Sequence, residues 1–148
     1  LVPRALMAAA GQIPYLEVFG DRYPTPDGSA IRDFIHVSDL AEAHVRALNY
    51  LLEGNSTAAF NLGTGVGTSV LELVAMTERV TGLKVPVRVG PNRPGDPPAL
   101  VADPALAHRS LGFRPHRSSL DFIVSTAWDW YSRQHTRATH AVPATGTI

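Results

Sequence analysis

The sequence predicts an α/β fold, and three observations carry that expectation. Short apolar runs of strand length alternate with longer segments of helical period. Clusters of glycine and proline turn residues separate many of them. Several of the helical segments open on capping residues.

Taken in order, Leu1–Ala10 is rich in Ala and Leu and stops at Gly11, so it reads as a helix. It starts without Met and without a polar lead-in, as if cut into an element. Leu16–Phe19 reads as a short strand, and the stretch from Gly20 to Gly28 carries turn residues, Pro24, Pro26 and Asp27 among them. Ile31–Val37 reads as extended. Ser38 is the expected N-cap of a helix to about Leu52, with Asp39 and Glu42 in its electropositive first turn and Gly54 beyond its end. Leu40, Ala43, Ala47 and Leu51 mark one face of it, widened by Val45, Leu48 and Leu52, an arc broad enough to need cover on more than one side.

Ala58–Leu62 reads as a strand. A glycine loop follows, and Ser69-Val70-Leu71-Glu72 spells a capping box opening a helix to Thr81, closed by Gly82. Lys84–Val89 alternates with Val85, Val87 and Val89 on one side, and Pro86 marks it as an edge strand. Asp103-Pro104 reads as an N-cap with proline at the first helical position of a short helix ended by Gly112. The last helix is expected over Leu120–Arg133, with Leu120, Ile123, Val124, Ala127 and Tyr131 inward. From there the composition predicts a division into residues 1–135, folded, and 136–148, a disordered tail.

Composition narrows the function. With 148 residues, 45% of them hydrophobic, the chain can bury one core. The 13 basic and 13 acidic residues cancel, which leaves no global field to draw nucleic acid or an anionic membrane surface, so neither is an expected partner. No apolar run approaches the roughly 20 residues of a membrane span. There is no cysteine, which removes disulfides, thiolate metal sites and cysteine nucleophiles and suits a reducing, cytoplasmic setting. Lys84 is the only lysine.

Three patterns carry possible chemistry. Gly63-Thr64-Gly65-Val66-Gly67-Thr68 follows an expected strand and precedes a helix, as a dinucleotide fingerprint does. Its third glycine position holds Thr68, however, and the next strand ends in Gly90-Pro91 with no acidic residue for a ribose, so a plain strand-to-helix turn is the competing reading. Asp33, His36, Asp39 and His44 are metal-ligand types, but Asp33 and His36 fall on opposite faces of an extended segment, and no metal is expected. Arginines stand beside stiff turns at Arg32-Asp33 and Arg93-Pro94-Gly95-Asp96. An arginine so held suits a phosphate, whose oxygens its fork can pair, while a solvent-exposed ion pair is the alternative.

Tyr23-Pro24-Thr25-Pro26-Asp27-Gly28, Ile31-Arg32-Asp33-Phe34-Ile35-His36-Val37, Asp39-Leu40-Ala41, Phe60-Asn61-Leu62-Gly63, Ser69-Val70-Leu71-Glu72, Arg93-Pro94-Gly95-Asp96 and Leu111-Gly112-Phe113 together resemble the UDP-glucose 4-epimerase family. The resemblance covers essentially Leu1–His135. It implies an extended short-chain dehydrogenase/reductase fold of which this is the carboxy-terminal substrate-binding part, the amino-terminal Rossmann domain being missing. It implies an isomerase of galactose metabolism that binds NAD through that amino-terminal domain and interconverts UDP-glucose and UDP-galactose through a 4-keto sugar. A homodimer, formed mainly through the missing half, is also implied. The family's Tyr-x-x-x-Lys pair is absent: Tyr15, Tyr23, Tyr50 and Tyr131 each lack a lysine four residues on. No catalytic or cofactor-binding residue is therefore expected here, and a chain inactive by itself is.

For this half the resemblance implies nucleotide contacts. Val18, through its backbone, and Phe19 would meet the uracil, Arg32 and Arg93 the diphosphate, and Asp96 the ribose, with Leu1 beside the phosphates and Leu100 lining the hexose end. A non-catalytic nucleotide-sugar binding module is the alternative.

Overall fold

The computed structural model describes residues 1–139, with side chains through Gln134. Its elements are α1 (Val2–Ala9), β1 (Leu16–Phe19), β2 (Ile31–Arg32), α2 (Val37–Leu52), β3 (Thr68–Ser69), α3 (Val70–Thr81), β4 (Val87–Gly90), β5 (Ala99–Leu100), α4 (Ala105–Leu111) and α5 (Leu120–Thr139). Two small sheets result. β1 pairs in parallel with β4, while β2 lies between β3, antiparallel, and β5, parallel.

Three apolar clusters hold these pieces. Ala5, Ala8, Leu16, Val74 and Val85 pack α1 and α3 against β1. Leu6, Leu73, Val124 and Tyr131 join α1, α3 and α5 into a three-helix stack. Ala43, Ala107, Leu111 and Phe113 form a separate cluster between α2 and α4. The capping box at α3 is complete: Ser69 Oγ accepts from Glu72 N at 3.0 Å and Glu72 Oε2 accepts from Ser69 N at 2.6 Å. Gly82 and Gly112 close α3 and α4 with positive φ of 69° and 58°.

Several boundaries differ from the sequence reading, each for a physical reason. The N-cap of α2 is His36, not Ser38: Nδ1 of its imidazole accepts from Ser38 N at 3.1 Å. The ring is buried, and its Nε2 sits 2.9 Å from Thr126 Oγ1, so α5 fixes it in the capping position. Asp39 stands in the first turn as expected and is buried there, with Arg117 N and Ser118 Oγ donating to Oδ2 at 2.8 and 2.6 Å. The expected strand Ala58–Leu62 has no ladder partner among the described residues and is left irregular. Pro104, not Asp103, caps α4, although Asp103 Oδ1 still accepts from Ala105 N. α5 runs past Arg133 to Thr139, taking four of the residues assigned to the tail; residues 140–148 of that expectation lie outside the described residues.

The broad apolar arc of α2 is largely uncovered. Ala43 is buried, but Val45, Leu48 and Leu52 are 59%, 56% and 76% exposed, and Leu51 is exposed with them.

Candidate functional site

A cleft of about 480 Å³ opens between α1, β1 and the loop after β4. Its lining brings together six of the seven residues expected to meet the nucleotide: Leu1, Val18, Phe19, Arg32, Arg93 and Asp96. They come from four separate stretches of sequence, and the fold explains the convergence. The parallel pairing of β1 with β4 carries the chain out of β4 at Gly90 beside Phe19. The loop then turns back at Gly95, whose φ is +78°, to deliver Arg93 and Asp96 over the end of β1. β2 supplies Arg32 from the far side.

The cleft is ordered by its own charges. Arg32 Nη2 donates to Asp96 Oδ1 at 2.5 Å, and Arg32 Nη1 donates to the carbonyls of Ile31 and Pro97 at 2.6 and 3.2 Å. Arg93 lies with its guanidinium carbon 3.7 Å from the centre of the Phe19 ring. Two glycines make the turn beside this pair possible. Gly20 has φ +88°, and a Cβ there would fall 2.1 Å from Asn92 Oδ1, while one on Gly28 would fall 2.1 Å from the carbonyl of Asp21. The Gly28 turn is tied down by Asp27, which accepts from Ser29 N and Oγ and from Ser69 Oγ. Partial burial raises the Asp27 carboxyl, but the Ser69 and Ser29 hydrogen bonds outweigh it and hold it below the ordinary carboxylate range.

The register of β1 revises one expectation. Leu16 N and Gly20 N donate to the carbonyls of Pro86 and Gly90 on the β4 side. The two-residue period of a ladder gives the main-chain groups of Val18 to β4 as well. Val18 therefore meets the cleft without free backbone groups, its side chain buried. The N–H and C=O of Glu17 and Phe19 lie on the open edge instead. Glu17 went unread in the sequence, as did Arg4, Leu16, Ala30 and Val70, which line the same cleft. The alternation of a strand was visible there, but not which edge its partner would take.

Leu100 does not join this lining. It is 55% exposed in a neighbouring depression of about 540 Å³, with Phe60, Asn61, Leu62 and Asp103. Arg32 borders both hollows, and the β2–β5 register sets its Cα opposite that of Leu100.

The glycine loop is occupied by its own chain. The Asp33 carboxylate accepts from Thr64 N and Gly65 N at 3.0 and 2.9 Å and from Thr64 Oγ1 at 2.6 Å. Ala102 N approaches at 3.3 Å. A Cβ on Gly63 would stand 2.5 Å from Asp33 Oδ2. Amides that a dinucleotide phosphate would need are thus spent on a carboxylate, and the residues present do not fit NAD. The other ligand-type residues are dispersed, His44 Nδ1 lying 2.7 Å from the carbonyl of Leu40.

Comparison with known proteins places this arrangement. The sequence pattern of the NAD dependent epimerase/dehydratase family matches residues 1–63. A UDP-glucose 4-epimerase of Bacillus subtilis is 47% identical over 132 residues, covering 89% of this chain and 39% of the relative. Two solved structures superpose closely. The UDP-glucose 4-epimerase from Brucella ovis in complex with NAD has a TM-score of 0.82 at 54% identity, over 86% of this chain and 40% of that one. The enzyme from Stenotrophomonas maltophila with bound NAD and formylated UDP-arabinopyranose has a TM-score of 0.87 at 45% identity, over 93% and 40%.

The chain is similar to the NAD dependent epimerase/dehydratase family over residues 1–63 and to UDP-glucose 4-epimerases over most of its length. It corresponds to the carboxy-terminal part of UDP-glucose 4-epimerases and spans about 40% of the length of the relatives it matches. Those relatives bind NAD, through an amino-terminal domain that lies mostly outside the matched stretch.

Proposed function

We propose that this chain is the UDP-sugar-binding part of an NAD-dependent UDP-glucose 4-epimerase, holding the nucleotide while chemistry is done by residues outside it. The observation that carries this reading is the convergence of Arg32, Arg93, Asp96, Phe19 and Leu1 on one cleft. Its shape suits a nucleoside diphosphate. The open edge of β1 offers a carbonyl at Glu17 and an N–H at Phe19, a donor–acceptor pair that uracil complements with its own ring N–H and carbonyl. The Arg93 guanidinium, stacked but not ion-paired among the described residues, is available to phosphate. Asp96 Oδ2 has no partner among them and can accept from a ribose hydroxyl while Oδ1 keeps Arg32 in place. The sugar then passes Arg32 toward the depression that Leu100 lines.

Residues 1–135 form this binding part. Catalysis, cofactor and the homodimer contact belong to the rest of such an enzyme, which works in the cytoplasm.

Calorimetric titration of the chain with UDP, UMP and ADP tests the reading. Binding of UDP in preference to ADP is the expected result. A folded chain that takes neither, or takes both alike, refutes it.

A further inference from the structure

The charges lining the cleft are Arg4, Arg32 and Arg93 against Glu17 and Asp96. Both carboxylates are already engaged. Asp96 holds Arg32, and Glu17 Oε1 accepts from Arg88 Nη2 at 3.0 Å, outside the cleft. Arg32 has further given Nη1 to two main-chain carbonyls. Two cations are left over, Arg93 on its phenyl ring and Arg4, which makes no hydrogen bond or ion pair with any described residue. Arg4 stands one turn along α1 from Leu1, and positions three apart share a helix face. A long side chain on that face reaches into the cleft that Leu1 borders. Two arginines that line one cleft and that no carboxylate pairs among the described residues suit an anionic ligand.

We propose that Arg4 is a third cationic contact for the phosphates of the nucleotide, acting with Arg93 at the α1 side of the cleft. This rests on the nucleotide reading of the cleft. It adds a residue that the Arg-Asp and Arg-x-Gly-Asp motifs do not contain. Because Arg4 is exposed, its contribution is a screened one, on the order of five- to tenfold in affinity, and shrinks as salt is raised.

The test is titration of the full chain and of R4Q, R4K and R93Q with uridine, UMP and UDP, at low and high salt. Arg4 is at the surface of its helix, so R4Q leaves the fold intact, which circular dichroism checks. The expected result is UDP affinity about five- to tenfold lower in R4Q, partly restored in R4K, with uridine binding unchanged and the deficit smaller at high salt. UDP affinity unchanged in R4Q but lowered in R93Q overturns the proposal and leaves the nucleotide reading standing. An equal loss for uridine and UDP also overturns it, since the contact is then to base or ribose. Absence of UDP binding in the wild-type chain overturns both.

Discussion

Arg32 and Asp96, 64 positions apart in sequence, meet at 2.5 Å across the mouth of the cleft, each about one quarter exposed. The pair joins the end of β2 to the loop after β4, two segments that share no strand ladder. Truncating either partner removes that tie and, on the proposed reading, a ligand contact as well. Arg32→Ala and Arg93→Ala are each expected to weaken UDP binding by about 1.5–3 kcal/mol, nearer the lower figure because both side chains meet solvent. The loss should appear with UDP alone, without a sugar. Calorimetry giving wild-type affinity in both variants would remove the diphosphate assignment.

The chain alone should not interconvert UDP-galactose and UDP-glucose when NAD is supplied. Its only lysine, Lys84, sits at the surface 3.0 Å from Glu78, and no tyrosine has a lysine four residues on. The glycine loop has its amides on Asp33. Measurable turnover by the purified chain counts directly against this.

Asp39 makes stability fall in acid. Burial raises its carboxyl, but hydrogen bonds from Ser118 and from the Arg117 and His116 backbone, with the Arg117 charge, win and hold it below the ordinary range. A carboxyl lowered by folding stabilises fully above its unfolded value of about 3.9, and the contribution fades as pH drops below that through the folded value. Thermal midpoints followed from pH 7 to 3 should decline below about pH 4. Asp39→Asn should lower the midpoint at neutral pH by the equivalent of about 1–3 kcal/mol and flatten the decline. A variant as acid-sensitive as the wild type contradicts this.

The exposed arc of α2 should make the isolated chain bind dyes that report apolar surface. Leu48→Gln with Leu52→Gln should reduce that signal without loss of helix content, because neither side chain contributes to the buried core. A clean monomer with no dye binding in the wild type would show that the arc is covered in some other way.

On the proposed reading, Leu100 lines the sugar end of the site and is expected to influence sugar selectivity. Leucine leaves more room than tyrosine beside Phe60 and Asn61. An enzyme completed around this chain should turn over UDP-N-acetylglucosamine better than its Leu100→Tyr variant, by a factor that corresponds to about 1–3 kcal/mol. Equal rates remove Leu100 from the question.

Local signals were the legible part of this sequence. The Ser69–Glu72 box, Gly82, Gly112 and the inward face of α5 follow from spacing alone. What escaped depended on partners distant in the chain. His36 displaced Ser38 as a cap because Thr126, 90 positions on, holds its ring. Ala58–Leu62 has strand composition, but a strand needs a ladder. Of the site, the arginines and Asp96 were readable from their motifs, and the resemblance added Leu1, Val18 and Phe19. The outward-facing main chain of Glu17 was not readable, since the open edge of β1 is known only once β4 has been placed on the other. Arg4 carries no motif at all.

The open edge of β1 also shapes how this site can drift. Atoms that every residue shares present themselves there, so replacing the Glu17 side chain changes charge near the cleft but not the carbonyl it exposes. At Phe19 only proline deletes the N–H. On the proposed nucleotide reading, point mutation therefore retunes affinity through the arginines while base preference stays fixed. Altering that preference takes a one-residue slip of β1 against β4, which would turn Val18 out of the core and expose it to solvent. On the proposed nucleotide reading, specificity for the base is a property of the strand register rather than of the side chains around it.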